Sequence, residues 1–177
     1  TIENRKPAKA LKGTTAARTT VHRSSSKSAA AKSGEHVYDT LIIGAGFAGL
    51  GTAIKLREAG VHNVAILERA AEVGGTWRDN QYPGAACDIP SNLYSFSFAP
   101  NPNWSRSYSG SQEILAYVHS LVNDFGLEKL IQYQQNVTRV ELDDAQGVWM
   151  IHTDNGQVWK GKTVIMASGP LANASFP

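Results

Sequence analysis

The segment VYDTLIIGAGFAG, residues 37–49, decides the fold expected for this chain. Its first half is rich in β-branched and aromatic residues and predicts a strand from Val37 to Ile43. Its second half has three glycines spaced as G-x-G-x-x-G, and Phe47 to Ala59 carries an apolar stripe at helical spacing. Gly60 predicts the end of that helix, and Val64 to Leu67 predicts a second strand. This unit implies parallel strands, so we expect an α/β fold with a Rossmann-like, doubly wound sheet.

The glycine turn predicts a binding site for the phosphates of a dinucleotide. Gly44 permits the tight turn, Gly46 has no Cβ and lets a pyrophosphate approach the backbone, and Gly49 lets the helix pack close to the strand. The helix N-terminus adds N–H groups and the positive end of its dipole. Phe47 and Ala48, which begin that helix, are included in the predicted site. The alternative, a glycine turn without a ligand, fits this strand-to-helix context less well.

A carboxylate and a second glycine pair extend the predicted site. Glu68 lies 19 residues after Gly49, at the end of the second predicted strand. An acidic residue there accepts hydrogen bonds from an adenosine ribose that carries no 2′-phosphate. This unit alone does not distinguish FAD from NAD. The pair Gly74-Gly75 would let the chain pass close to a large planar cofactor, which favours FAD.

The remainder of the chain predicts a long loop, a helix and a β-rich insertion. Residues 69–110 are rich in Gly, Pro, Asn and Ser, and a loop of this length is usually functional. A helix is predicted from Ser111 to Phe125, with a capping box formed by Ser109 and Gln112. The pattern then changes to a period of two, which predicts an inserted β-hairpin or meander with a turn at Asn155-Gly156. The strands expected there are 131–135, 137–142, 148–153, 157–159 and 163–167.

The small net charge hides an uneven distribution. The 177 residues carry 17 basic and 15 acidic side chains, a net charge of +2. Residues 1–36 hold eight basic and two acidic residues and few large apolar ones, which predicts a disordered basic tail. The tail resembles an organelle transit peptide, although a solvated leader or an expression remnant is favoured. No aromatic residue lies between its charges, so no nucleic-acid partner is expected.

Composition excludes several further classes. A hydrophobic content of 42% suffices for a folded core, and a single cysteine excludes a disulfide framework. The five histidines show no ligand spacing, so no metal site is expected. No apolar run reaches the roughly 18–20 residues that span a membrane, so no membrane association is expected. Without a secretion signal, a cytoplasmic location is expected.

Four further motifs carry a resemblance to a known family. They are Gly74-Gly75-Thr76-Trp77, the segment YPGAACD at 82–88, LYSFSF at 93–98, and Trp104-Ser105-x-x-Tyr108. Together they resemble class B flavoprotein monooxygenases, and among these the Baeyer–Villiger and flavin-containing monooxygenases. The resemblance implies that residues 37–177 are the N-terminal segment of an FAD-binding domain. The NADPH-binding domain would be absent, since no second G-x-G-x-x-G follows, and we expect the chain alone not to oxidise NADPH.

Members of this family use NADPH to reduce FAD and transfer one oxygen atom of O₂ to a ketone or to a nitrogen or sulfur atom. The resemblance therefore implies FAD as cofactor, NADPH as co-substrate, and O₂ with a small ketone or heteroatom compound as substrates. Carried over by motif, the cofactor residues fall into four groups. Glu68 and Arg69 would lie at the adenosine ribose, and Gly75, Thr76 and Trp77 along the FAD. Asp88 and Tyr94 would lie near the flavin. Val137 and Ala167 are at two strand ends, and Val137 would contact the adenine.

Asp88 is the catalytic candidate. In the Baeyer–Villiger branch, the Asp of Cys-Asp supports an arginine from a later segment that stabilises negative charge at the flavin. A loop-ordering carboxylate that accepts backbone N–H bonds is the equal alternative. Cys87 is interpreted as a small buried residue, because no second cysteine is present to form a redox pair. Two other functions stay open: a non-catalytic dinucleotide-binding remnant, and a flavin-dependent reductase or oxidase without oxygen insertion.

Overall fold

A computed structural model of the chain describes residues 36–171. The predicted basic tail, except His36, lies outside the described residues, as do residues 172–177. Within these residues, three helices and six strands follow one another in this order: β1 Val37–Ile43, α1 Phe47–Glu58, β2 Val64–Leu67, α2 Thr76–Asp79, α3 Ser111–Asp124, β3 Ile131–Gln132, β4 Val137–Asp143, β5 Val148–Thr153 and β6 Val158–Met166. No helix in this part of the chain has the length and apolar character needed to cross a membrane.

The six strands form one mixed sheet in the order β3-β2-β1-β6-β5-β4. The first four strands are parallel, with Leu41 of β1 aligned with Ala65 of β2 and with Val164 of β6. Strands β5 and β4 continue the sheet in antiparallel pairing. The Rossmann-like α/β fold is thereby confirmed, and the predicted meander extends the same sheet beyond the parallel strands.

Two apolar clusters cover the two faces of the sheet. Successive residues of a strand point to opposite faces, so Ile42 and its neighbour Leu41 belong to different clusters. On the Ile42 side, the sheet packs against α1 and α3 through residues such as Leu50 and Val118. On the Leu41 side, Trp159 of β6 is buried with residues from β2 and β5. The parallel strands are apolar on both faces, which is why their sequences are nearly continuous in hydrophobic residues.

The structure corrects three details in the second half of the chain. Strand β3 is shorter than the predicted 131–135, because Gln134 adopts a left-handed conformation (φ 57°) and turns the chain out of the sheet. The predicted strands 157–159 and 163–167 are one strand, β6, which pairs with β5 at its start and with β1 along its length. The capping box is wrong: Gly110 is the N-cap of α3 without a side-chain bond, and Ser109 bonds Ser91 instead.

The long loop 69–110 contains more structure than its composition indicates. Its first half contains the single-turn helix α2, and its second half contains a turn of 3₁₀ helix at Ser91–Leu93. The loop is tied to the start of α3, since the N–H of Cys87 bonds the carbonyl of Ser109 (2.9 Å) and the N–H of Ser111 bonds the carbonyl of Ala85 (2.9 Å). These bonds hold the loop over the carboxyl ends of the parallel strands.

Candidate dinucleotide-binding site

A cavity of about 870 Å³ opens at the carboxyl ends of β1, β2 and β6. Open α/β sheets bind ligands at this edge, and the volume lies in the range of small-molecule sites. Most of the predicted site residues line it. Those in the wall are Gly44, Gly46, Phe47, Ala48, Glu68, Arg69, Gly75, Thr76, Trp77, Asp88, Tyr94, Val137 and Ala167. The exception is Gly49, which is buried behind the wall.

The three glycines of the first turn have different surroundings. Gly44 has φ +108°, and a Cβ there would lie 2.5 Å from the carbonyl oxygen of Ala167. A Cβ on Gly49 would lie 1.9 Å from the carbonyl oxygen of Gly44, so this glycine allows α1 to lie against β1. A Cβ on Gly46 would have no atom closer than Cα of Gly75, at 3.8 Å. Contacts within the protein therefore exclude a side chain at Gly44 and at Gly49, whereas a Cβ at Gly46 would clash with no described residue.

The second glycine pair lies against the first turn in the wall of the cavity. The N–H of Gly74 donates to the carbonyl of Ala45 (3.1 Å), which links the two turns. Gly75 has φ +53°, and a Cβ there would lie 3.4 Å from Cα of Gly46. The two turns thus present backbone without side chains to each other, as a ligand that lies close to the main chain requires.

Glu68 is only 3% exposed, yet its side chain borders the cavity. Oε2 accepts a hydrogen bond from the N–H of Ala45 (2.8 Å), and Oε1 accepts one from the N–H of Ala70 (2.9 Å). Oε1 also accepts from Nη1 of Arg78 at 2.9 Å. A carboxylate has about four lone-pair positions, so three protein donors hold the group in place and leave capacity for a ligand donor.

Charged side chains alternate along this wall. Arg78 donates from Nε to Asp79 (2.8 Å), and Nη2 of Arg69 contacts the other oxygen of that carboxylate (2.8 Å). Burial would raise the pKa of Asp79, but the hydrogen bonds from Arg78 and Arg69 lower it below its ordinary value. Burial likewise opposes the charge of Arg78, and the hydrogen bond to Asp79 and the charge of Glu68 outweigh it and raise its pKa. Both charges of this pair are thus retained.

Aromatic side chains form another part of the wall. Nε1 of Trp77 donates to the hydroxyl of Tyr94 (3.1 Å), and the two rings meet edge to face at 5.5 Å. The ring of Phe47, at the start of α1, lies 5.3 Å from that of Tyr94. Burial raises the pKa of Tyr94, so its hydroxyl stays protonated at neutral pH. This surface can cover a flat ring system.

The Cys-Asp pair lies at the rim of the cavity. Cys87 is buried, and its sulfur accepts the N–H of Ile89 at 3.4 Å, in agreement with a small structural residue. Asp88 is exposed, and within residues 36–171 its carboxylate makes no hydrogen bond or ion pair. The loop-ordering bonds considered for Asp88 are thus not formed to the described residues.

The segment 134–137 closes the cavity beside Glu68. The N–H of Gln135 donates to the carbonyl of Glu68 (2.8 Å), and its side-chain oxygen accepts from Nε1 of Trp159 (3.2 Å) and from the amide of Asn155 (3.3 Å). The turn between β5 and β6 therefore supports the backbone that leads into Val137. The β-rich insertion thereby shapes the site.

Several wall residues were missed by sequence reasoning, and those with polar side chains beside Glu68 or Val137 include Arg78, Asp79, Gln135 and Asn136. Asn136 follows a polar stretch without distinctive pattern, and Gln135 is placed by a tertiary contact with Trp159. A signal existed for Arg78 only in its position beside Trp77, directly after the glycine pair. Its partner Glu68 lies ten residues earlier on another element, so no local pattern links the two.

Comparisons with known proteins agree with this geometry. The model of an NAD(P)-binding Rossmann-like domain family matches residues 42–110. A Baeyer-Villiger monooxygenase of Streptomyces coelicolor is 48% identical over 143 residues, which is 81% of this chain and 27% of that protein. One of Pseudomonas aeruginosa is 39% identical over 136 residues, covering 77% of this chain and 26% of the relative.

Solved structures show the same partial overlap. An oxidized steroid monooxygenase bound to NADP superposes with a TM-score of 0.75 at 39% identity, covering 80% of this chain and 28% of that one. A closed crystal structure of cyclohexanone monooxygenase superposes with a TM-score of 0.74 at 35% identity and the same coverage. The chain thus spans about a quarter of the length of these relatives.

Proposed function

Because the chain is a homologue of the Baeyer–Villiger monooxygenases over most of its length, we propose that residues 36–171 form the FAD-binding segment of an NADPH-dependent flavoprotein monooxygenase. The enzyme would transfer one oxygen atom of O₂ to a ketone, or to a nitrogen or sulfur atom of a small molecule. The observation that carries the proposal is a cavity with two glycine turns side by side in its wall, which meet at Gly46 and Gly75.

The residues in the wall fit FAD from one end to the other. The Gly44–Gly49 turn and the N-terminus of α1 would bind the pyrophosphate through backbone N–H groups. Glu68 would accept hydrogen bonds from the adenosine ribose. At the other end, the ring surfaces of Trp77 and Tyr94 would lie beside the flavin. Two chemically different ends in one continuous cavity favour a cofactor with an adenosine half and a flat aromatic half.

FAD, when bound, supplies the redox chemistry through which O₂ is activated. The chain's own residues bind and orient the cofactor. We propose that Asp88 acts by positioning a cation contributed from elsewhere in the protein, because its carboxylate is exposed at the cavity rim and makes no bond to the described residues. A cation beside the flavin favours developing negative charge there.

Reconstitution with FAD tests the proposal directly. The purified chain, incubated with excess FAD and passed through gel filtration, is expected to retain about one flavin per chain. The bound flavin should show a visible absorption band that is shifted from that of free FAD. Elution of the folded chain without flavin would contradict the proposal. NADPH oxidation coupled to conversion of a test ketone or sulfide, measured in a protein that contains this segment, then distinguishes the two kinds of substrate.

The family match to NAD(P)-binding domains favours one second candidate, a nicotinamide dinucleotide in this cavity. Glu68 opposes a 2′-phosphate through like charge and so favours NAD over NADP within that class. Competition distinguishes the candidates. Under the FAD proposal, NAD⁺ at millimolar concentration should not displace bound FAD. Displacement at equal concentrations would favour the nicotinamide site.

A further inference from the structure

We propose that Arg78 is a positioning residue that fixes the Glu68 carboxylate for recognition of the 2′-hydroxyl of a nucleotide ribose. This inference rests on the proposed dinucleotide-binding function. It assigns to Arg78 an action through Glu68 and no direct contact with the ligand.

The contacts of Arg78 connect three parts of the chain. The guanidinium is 8% exposed, and Nη1 donates both to Oε1 of Glu68 (2.9 Å) and to the carbonyl of Glu72 (2.7 Å). Nε donates to Asp79 at 2.8 Å. Burying a guanidinium is costly unless its donors are paired, and a buried ion pair is often no more stabilising than apolar residues of similar size. The arrangement is therefore better explained by the geometry it imposes than by stability.

Arg78 fixes the position of one carboxylate oxygen of Glu68, Oε1. Oε2 of Glu68 is held by a residue from another element, since Ala45 belongs to the first glycine turn. Oε1 is held locally by Ala70, two residues along the chain, and by Arg78 from α2. Within the described residues, Arg78 is thus the donor that fixes Oε1 against a separate element. Without it, Oε1 keeps the hydrogen bond from the N–H of Ala70 but loses its connection to α2, so its position depends on the local chain alone.

The glycine at 74 makes this placement of Arg78 feasible. A Cβ at Gly74 would lie 2.8 Å from Cβ of Arg78 and 2.5 Å from Cδ1 of Leu115, and its φ is +130°. Gly75, by contrast, faces the cavity and Gly46. The glycine pair therefore serves two purposes: Gly74 lets α2 turn Arg78 towards Glu68, and Gly75 leaves space for a ligand.

A cycle of two ligands and two proteins tests the inference. The dissociation constants of ADP and 2′-deoxy-ADP are measured by calorimetry for the full wild-type chain and for Arg78→Met, which keeps an apolar stem of similar length. The hydrogen bond from the 2′-hydroxyl to the charged Glu68 is present only with ADP, so the wild-type chain should bind ADP about tenfold or more tightly than 2′-deoxy-ADP. In Arg78→Met the preference should fall to about twofold or less, while the affinity for 2′-deoxy-ADP changes less than about threefold. Arg139→Met, an exposed site on β4, is the matched control and should keep the wild-type preference.

Each other outcome overturns a defined part of the reasoning. Equal weakening of both ligands in Arg78→Met would show a merely structural role. A wild type that binds both nucleotides equally would overturn ribose recognition through Glu68 but leave FAD binding intact. A wild type that binds neither would overturn the proposed function as well. If circular dichroism shows Arg78→Met unfolded, Arg78→Lys decides. A single ammonium cannot reproduce the contacts of the guanidinium, so a preference equal to wild type would overturn the inference.

Discussion

Gly46→Ala should abolish tight cofactor binding while leaving the fold intact. The backbone at Gly46 is extended, with φ −88° and ψ −165°, a conformation that alanine adopts without strain. The added Cβ would have Cα of Gly75 as its nearest neighbour at 3.8 Å, which is an ordinary van der Waals contact. No protein atom needs to move. Alanine restricts the unfolded chain, which stabilises, but it is a poorer N-cap of α1 than glycine, so the free energy of unfolding should change by less than about 1 kcal/mol.

The same methyl group would stand in the cavity wall where the two glycine turns meet. A phosphate that must approach the backbone N–H groups of the first turn would be held away by it. Loss of one hydrogen bond to a charged group costs about 1.5–3 kcal/mol, which corresponds to roughly a 10- to 150-fold higher dissociation constant for FAD. Quenching of flavin fluorescence on titration with protein measures this constant, and thermal unfolding of the ligand-free variant measures stability.

The matched control is Gly110→Ala. Gly110 is also extended (φ −71°, ψ 159°), and a Cβ there also has its nearest neighbour at 3.8 Å, the carbonyl oxygen of Ala85. It begins α3 and does not line the cavity, so FAD affinity should be unchanged. Two results would refute the reasoning: wild-type affinity in Gly46→Ala, or a loss of stability in that variant without ligand that clearly exceeds the loss in Gly110→Ala, which is also an N-cap.

Three further variants test other parts of the structure. Gly49→Ala should lose more than about 3 kcal/mol of stability, because its Cβ would lie 1.9 Å from the backbone oxygen of Gly44. Thermal unfolding measures the loss as a lower midpoint, and near wild-type stability would contradict the close packing of α1 on β1. Asp79→Asn should make the loss of stability in acid less steep. The pKa of Asp79 is lower in the folded chain than its unfolded value of about 3.9, so the ionised carboxylate stabilises the fold above that value, and this stability is lost as the pH falls through the folded pKa. Urea denaturation between about pH 2.5 and 6 measures this loss, and an unchanged slope would count against the ion pairs. Tyr94→Phe should cost about 1 kcal/mol and alter tryptophan emission, because Nε1 of Trp77 loses its acceptor; unchanged emission and stability would contradict that bond.

The first half of the fold followed from sequence because its signals are local. Strands β1 and β2 have the predicted bounds, and α1 differs by a single residue at its end. In each, a run of apolar residues ends at a glycine or a charged residue, and neighbours along the chain determine the conformation. The later errors occur where tertiary contacts decide. Gln134 is turned by bonds of its segment to Ala70 and Glu68, which no pattern near residue 134 encodes.

The site divides in the same way. The glycine motif and Glu68 were predictable because their spacing along one βαβ unit also sets their spacing in space. Arg78 was not, since its role depends on a single turn of helix folding back across the glycine pair. Sequence indicated that Gly74-Gly75 leave room for a cofactor. The structure assigns that property to Gly75 and gives Gly74 a packing role against Leu115.

The charges of the cavity wall determine how an anionic ligand can be held there. The charged residues in the wall are Arg69 and Arg78 against Glu68, Asp79 and Asp88, a formal sum of −1. Both arginines already contact carboxylates. The net side-chain charge of this wall, within the described residues, therefore does not attract a pyrophosphate. What remains is the backbone of the glycine turn and the N-terminus of α1, whose first turn contains no acidic residue. Because these donors are fixed by the fold, the affinity depends on how closely the phosphate approaches them, and that distance is set by the missing side chain at Gly46.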